Sequence, residues 1–444
     1  MPVVKKLRYF IRLLGAIIRK QYLLILGSCV LGAVFFFFLP KILAILPKAV
    51  PSEKIGIVGQ FTVSDLPNEV LGDLSFGLTE INQKGEVVPK IANKILVSED
   101  GLTYTAVLNG QSLVWHDGKE LAPQDINYNF KDVSISINDN KLIFTLKEPF
   151  APFPSFLSKP LFKKGLIGLG DYKIKRVANK GKNIGSLYLV PFKNKSLPGK
   201  IYRFYNSESE LINAYNLGEI NILKNISNIS DLFLGPKSNI KEVNPEDIYL
   251  ALFFNTNKAP FSEKTFRQAL AYAIPKEKGS LRATGPINPF SWAYNPDVKP
   301  YNFDTAHAKS LLNSEEVNYE DLKIVISTMP QYENIASSIR DFWKNIGIES
   351  EVKVQMYVPE DFDVLLAARK IPQDPDQYYF WHSTQEGNIS HFKSPRIDKL
   401  LEDGRKTTDN EQRKSVYFDF QRFLVEESPA IFLSHPTYYN ISRN

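Results

Sequence analysis

The sequence predicts an α/β protein in two regions of different texture, carried behind one N-terminal membrane helix. Three observations predict this. Tyr22 to Leu39 (YLLILGSCVLGAVFFFFL) runs eighteen residues without a charge. From residue 54 to about 245, short alternating runs of apolar and polar residues read as strands. From residue 246 onward, strand-like and helix-like patterns alternate.

The apolar run has the length of a membrane span. At ~1.5 Å per residue it nearly crosses a ~30 Å hydrocarbon core. Pro40 and Lys41 interrupt it, and ILAIL extends it to Leu46, so residues 22–46 are expected to be a transmembrane anchor. Before it stands KKLRYFIRLLGAIIRKQ, whose Arg8, Arg12 and Arg19 fall on one side of a helix. Residues 1–21 are therefore expected to lie along the inner membrane surface. Six positive charges precede the span, which places the N-terminus in the cytoplasm and the chain beyond about residue 48 outside. A cleavable signal peptide would need an A-x-A-like site, which is missing here. A lipoprotein reading would use Leu26-Gly27-Ser28-Cys29, but the apolar run continues past Cys29 where such signals turn polar.

Composition narrows the rest. The chain has 444 residues, 43% hydrophobic and 23% charged, enough for two or three domains. The net charge of +6 is concentrated in residues 1–48, which hold eight Lys/Arg and no acid. The remainder of the chain is therefore nearly neutral, at about −2, and no nucleic-acid partner is expected. Cys29 is the single cysteine, which excludes internal disulfides and thiolate metal clusters.

Lys54–Gly59, Leu102–Leu108 and Lys141–Leu146 alternate as strands, with a short helix expected over Pro123–Lys131. Tyr172–Val177, Leu187–Phe192 and Ile201–Tyr205 continue the strand pattern, and Ser207-x-x-Glu210 caps a helix through Leu217. Ile248–Phe254 (IYLALFF) is continuously apolar, as in a strand buried on both faces. Ser262 is expected to cap a helix over Glu263–Ala273, stopped by Pro275, and Asp304 to cap the next. Strands are expected over Leu322–Ser327, Ile348–Met356, Phe362–Leu366 and Ala430–Ser434. Helices are expected over Asn334–Asn345, Pro395–Arg405 and Asn410–Glu426.

Catalytic templates find little. No H-E-x-x-H, G-x-S-x-G or Walker lysine loop is present. The histidines, His116, His307, His382, His391 and His435, nowhere stand four apart, so no metal site, cofactor or catalytic group is expected. The stretch Ile371–Thr384 (IPQDPDQYYFWHST) carries Asp374 and Asp376 around Pro375, then four consecutive aromatic residues. Residues two apart in an extended chain point opposite ways, so the aspartates read as turn-formers or charges on a pocket lip. Four adjacent rings cannot all face one core; the alternatives are a stripe packed under a helix and the wall of a ligand pocket.

Several segments, in order, resemble one family. LVWHDGKELAPQDINYNF (113–130) resembles the signature of the family 5 extracytoplasmic solute-binding proteins, of dipeptide and oligopeptide type. SEDGLTYTAVLNGQ (98–111), FTLKEPFAPF (144–153), GLGDYKI (168–174), FFNTNKAPFSEKTFRQALAYAI (253–274) and FDTAHAKSLL (303–312) fit the same family. IRDFWKNIGIESEV (339–352) and NISHFKSPRIDKLLEDGRK (388–406) complete the set, which covers roughly residues 54–440. The resemblance implies a type II periplasmic-binding-protein-like clamp of two α/β lobes, monomeric, that shuts on a ligand and delivers it to an ABC permease. It places the first lobe at 54–245, completed by 425–444, and the second at 246–424, with the crossing near Val243–Asn255. An extended oligopeptide would be held mainly through its main chain.

The resemblance also locates the ligand wall. Peptide binders of this family often carry a tryptophan and an ammonium-binding aspartate after the strand that reads FDVLLAARK here. In LAARKIPQDPDQ the tryptophan is absent and Ile371 takes the aspartate's place. Either Asp374 or Asp376 substitutes, or the ligand has no free amine. The ligand-binding candidates are Arg369, Asp374, Asp376, Gln377, Tyr378, Trp381 and His382, with Asn255 near the crossing. Arg369 is the candidate partner of a ligand carboxylate. Trp115, Asp117, Gly118 and Asp125 are family markers expected to serve turn, cap and packing. Two alternatives stay open: a sensor or envelope interaction module using the same clamp, and a surface peptidase acting through His382 or Asp374.

Overall fold

The computed structural model describes residues 52–443 apart from 109, 111, 237, 244, 246 and 315–321, and of the preceding residues only 15, 19–24, 26–28 and 30–39. The chain divides into two compact units, Met1–Ser52 and Glu53–Asn444. In the first, Arg19–Leu39 is a helix of 21 residues whose most apolar 18-residue stretch has a mean hydropathy of 2.5, long and apolar enough to cross a membrane. Cys29, most of the basic segment 1–21 and the extension to Leu46 lie outside the described residues.

Among its described residues the second unit is built on four sheets. A seven-stranded sheet runs Ser238–Val243, Tyr438–Arg443, Ile222–Ile226, Ser52–Val58, Gly199–Tyr205, Asn183–Pro191, Tyr172–Lys180. A four-stranded antiparallel sheet runs Ala92–Val97, Thr103–Leu108, Lys141–Leu146, Val133–Asn138, and Thr79–Ile81 pairs with Val87–Pro89. A five-stranded sheet runs Glu349–Val354, Lys323–Thr328, Val364–Lys370, Ile248–Phe254, Ala430–Ser434. Ala430–Ser434 thus still belongs to the five-stranded sheet, and Tyr438–Arg443 makes the return to the seven-stranded one.

Local chemistry explains several boundaries. The Ser207 hydroxyl accepts from the Glu210 amide at 3.2 Å, while the Glu210 carboxylate accepts from the Asn206 amide. Asp304 accepts from the His307 amide at 2.8 Å and opens the helix Thr305–Ser314. Ile248–Phe254 pairs with a strand on each side, and its residues from Tyr249 onward are all buried, which is why it reads as unbroken apolar sequence.

Two expected elements are corrected. Only the 3-10 turn Pro123–Asp125 forms where a helix to Lys131 was expected; Asn129 and Asp132 take φ of +51° and +64°, incompatible with a helix. The helix expected from Glu263 begins at Lys264, and Ser262 does not cap it: its hydroxyl donates to the Glu263 carboxylate, while its carbonyl accepts from Arg267 Nη1.

The family markers settle the turn beneath the four-stranded sheet. Trp115 is fully buried, its indole N–H donating to Asp125 at 3.2 Å, and Asp125 also accepts from the Ala122 amide. Asp117 accepts from the Lys119 amide, and Gly118 sits at φ +86°.

Candidate functional site

Among the described residues, two main-chain hydrogen bonds join the four-stranded-sheet side of the unit to the five-stranded-sheet side. The Ala151 amide donates to the Arg405 carbonyl at 2.6 Å, and the Trp292 amide to the Lys84 carbonyl at 3.1 Å. Around these contacts the two sides stand apart and enclose three cavities. The first, of about 810 Å³, lies between residues of the Thr79–Tyr104 region and Phe290, Trp292, Asp374 and Arg413. The second, of about 690 Å³, lies between Phe130–Phe156 and Tyr378, Glu402 and Arg405. The third, also about 690 Å³, lies between Asn68–Pro160 and the segment Lys370–Phe380. Each volume is that of a site for a small molecule.

The segment Lys370–Phe380, a loop followed by a helical turn, contributes to all three. Asp374 lines the first and third cavities and Asp376 the third. Both carboxylates are engaged by arginines. Asp374 takes a two-pronged pair from Arg413, at 2.6 and 3.0 Å, with both side chains almost fully buried. Asp376 takes Nε and Nη2 of Arg405 at 2.9 Å each. The carboxylates also shape their own loop, Asp374 accepting from the Asp376 amide and Asp376 from the Tyr378 amide. Burial by itself would lower the pKa of the Arg413 guanidinium; the Asp374 charge outweighs it and raises that pKa above its ordinary value. Tyr104, across the first cavity, has its phenol pushed up to about 12, chiefly by burial.

The aromatic run forms a single helical turn, Tyr378–Trp381. Successive helical side chains point about 100° apart, so the four rings diverge. Tyr378 lines the second cavity, with the Arg405 guanidinium 3.8 Å above its ring. Phe380 lines the third cavity, and Tyr379 is 53% exposed. Trp381 points inward: it is 1% exposed, packed against Phe253 and Phe432. As a ring in the core it lines none of the three cavities.

The other candidates also stand behind the wall. Gln377 is buried and precedes the turn, its carbonyl accepting from the Phe380 and Trp381 amides. His382 is buried, stacked 4.1 Å from the Tyr378 ring, with Nδ1 2.9 Å from Thr384 Oγ1. Asn255 is buried and bridges a turn, donating to the Phe362 carbonyl at 3.0 Å and accepting from the Asn257 amide. Arg369 stands opposite Tyr249 in the sheet, donates to the Gly387 carbonyl, and lies over the rings of Phe253 and Phe380. Burial holds its guanidinium below the ordinary arginine pKa. None of these four lines the cavities described. Among the described residues no group of three or more His, Cys, Asp or Glu is placed to hold a metal ion.

Sequence reasoning missed Arg405 and Arg413, which come from the helices Pro395–Lys406 and Asn410–Glu427. It also missed Phe290 and Trp292, from the irregular segment before Thr305. Nothing local marks these residues; they reach the site only through the fold.

Two α/β lobes enclosing hollows lined by charged and aromatic groups define a solute-binding clamp. The chain belongs to the bacterial extracellular solute-binding proteins, family 5, whose family model matches residues 86–391. It is 22% identical to the dipeptide-binding protein of Escherichia coli, over 80% of this chain and 82% of that one. It is 23% identical to the oligopeptide-binding protein AppA of Bacillus subtilis, over 85% and 83%. Among solved structures, NikZ from Campylobacter jejuni in complex with Ni(L-His) superposes with a TM-score of 0.74 at 23% identity, covering 90% of this chain and 95% of that one. AppA from Bacillus subtilis in complex with a nonapeptide gives a TM-score of 0.67 at 20% identity, with coverage of 90% and 95%. These superpositions establish the same two-lobed fold.

Proposed function

We propose that the protein is a membrane-anchored receptor that captures oligopeptides, or solutes of similar size, between its lobes and hands them to the permease of an ABC transporter. The observation that carries this is the set of three cavities walled by both lobes, the largest about 810 Å³. The relatives named for dipeptide and oligopeptide binding support the ligand class. The first lobe comprises residues 54–245 and 438–443 and the second 246–437, so the expected return over 425–444 narrows to its last strand. The protein acts by binding rather than turnover, as a monomer.

Within the cleft, Asp374, Asp376 and Tyr378 form the wall, and Asn255, Arg369, Gln377, Trp381 and His382 hold that wall in place. Asp374 and Asp376 are each committed to an arginine, so a ligand ammonium is not anchored by them. Arg19–Leu39 crosses the membrane once with the N-terminus inside, which keeps the clamp at high effective concentration beside its permease.

Native mass spectrometry and thermal unfolding of the purified chain with a peptide library test the reading. A ligand bound only to the folded form raises the unfolding temperature by mass action. No retained mass and no shift with any peptide would sink the peptide assignment. Crosslinking in membranes separates delivery from sensing: a receptor is captured with permease subunits.

A further inference from the structure

Three apolar side chains stand bare at one edge of the seven-stranded sheet. Leu217 is 77% exposed, Phe233 75% and Leu234 42%. Their neighbour Leu232 is buried in the small core beneath, so the loop is anchored while its tip is left out. Asn216 holds the two parts of the tip together. Its Nδ2 donates to the Asp231 carbonyl at 3.0 Å, and its Oδ1 accepts from the Phe233 amide at 2.9 Å.

This edge is also where the lobe's first strand begins. Four residues past Leu217, Asn221 exchanges two hydrogen bonds with Lys54: its amide donates to the Lys54 carbonyl, and its Oδ1 accepts from the Lys54 amide. At the other end of the exposed loop, Ser238 pairs with Arg443, whose amide donates to the Asn221 carbonyl. The tip and the strand start at Ser52 therefore share one end of the sheet. Twelve residues separate Leu39, the end of the apolar helix, from Ser52. Fully extended, they reach roughly 40 Å.

We propose that Leu217, Phe233 and Leu234 form a lipid-contact tip that rests on the outer surface of the bilayer holding the anchor. The proposal rests on the reading of Arg19–Leu39 as a membrane span. Bare clustered apolar side chains mark interaction surfaces, and Leu and Phe bury well at the headgroup–acyl boundary. Three side chains make a weak contact by themselves. The tether makes it effective, because it confines this end of the lobe near the lipid and supplies a high local concentration.

The test uses the full chain with Cys29→Ser, reconstituted into phosphatidylcholine vesicles containing a fraction of headgroup-spin-labelled lipid. An environment-sensitive fluorophore is placed at Phe233→Cys or, as control, at Met356→Cys, an exposed apolar position in the other lobe that is 84% exposed. The label at 233 is expected to lose most of its emission to the lipid quencher while the label at 356 keeps it, and adding Leu217→Asp and Leu234→Asp should restore emission at 233. Equal emission at both positions overturns the proposal, as does shielding of 233 without quenching, which would mark a protein contact. Flotation of the same vesicles separates the two readings: a chain that fails to float refutes the anchor, and a chain that floats with a bright label at 233 refutes the tip alone.

Discussion

Asp374 and Arg413 close a two-pronged ion pair, Oδ1 to Nη2 at 2.6 Å and Oδ2 to Nη1 at 3.0 Å, at the back of the cleft. Arg413 Nε donates to the Gly404 carbonyl, so the cleft loop, the C-terminal end of one helix and the start of the next are fastened by one side chain. With both groups nearly buried, removing one strands the other in a poor dielectric. Asp374→Asn or Arg413→Met should each cost about 3–5 kcal/mol in urea unfolding of the chain. The double variant Asp374→Leu/Arg413→Met should lose much less than the two losses combined, since it leaves no orphaned charge. Single losses under ~1 kcal/mol would show that water already compensates the pair.

Arg405 works at the more exposed neighbouring site. It grips Asp376, and its guanidinium carbon lies 3.8 Å from the centre of the Tyr378 ring, with its side chain 30% exposed. Lysine would keep the charge and lose both the fork and the planar group over the ring. Arg405→Lys should therefore lower stability by about 1 kcal/mol, less than either change at the Asp374 pair, because solvent screens this site. Equal urea midpoints for Arg405→Lys and the parent chain would mean that charge alone matters there.

The contrast between these arginines and the caps shows what was legible in the sequence. Ser207 with Glu210, and Asp304 with His307, bond within three residues of themselves, so a local pattern reveals them. The strand Ile248–Phe254 is legible for a related reason: burial on both faces leaves no polar position. Asp374 and Arg413 lie 39 residues apart, and Asp376 and Arg405 lie 29 apart. Only the docking of two helices on the loop brings these pairs together. The strand Ala92–Val97 (ANKILV) is largely exposed and does not alternate, so no pattern marks it, whereas Val133–Asn138 (VSISIN) alternates strictly and was open to the same reading as its neighbour Lys141–Leu146. The ring run was recognisable as divided between core and surface, but which ring goes where depends on the helical turn.

That division is itself testable. Trp381 packs into the core against Phe253 and Phe432, while Phe380 lines a cavity. Trp381→Ala should cost about 3–5 kcal/mol in chemical unfolding, as large-to-small changes in cores do. Phe380→Ala should cost clearly less and instead change the affinity for whichever peptide the parent chain retains. The opposite ranking in unfolding would mean that the inward ring is Phe380.

Lys276 gives the stability a pH dependence whose sign can be worked out. Its ammonium donates to the Ala271 carbonyl, near the end of the helix Lys264–Tyr272. Arg282, Lys299, Thr284, Tyr301 and Ser428 border the same small cavity, of about 10 Å³. Burial, reinforced by the Arg282 charge, pushes the Lys276 pKa down to about 7 from the ordinary 10.5. Between those values the unfolded chain holds a proton that the folded chain does not. Stability should therefore rise with pH across that window, by at most ~1.4 kcal/mol per pH unit, and this contribution should level off below about pH 7. Arg282, itself pushed down to about 10 by burial, adds a second rise only toward the top of the window, so readings up to about pH 9 isolate the lysine. Lys276→Met should remove the slope and leave the chain more stable at neutral pH, because no charge then has to be buried or neutralised on folding. Urea midpoints of the parent and variant chains that run parallel across this range would show that Lys276 keeps its proton in the folded state.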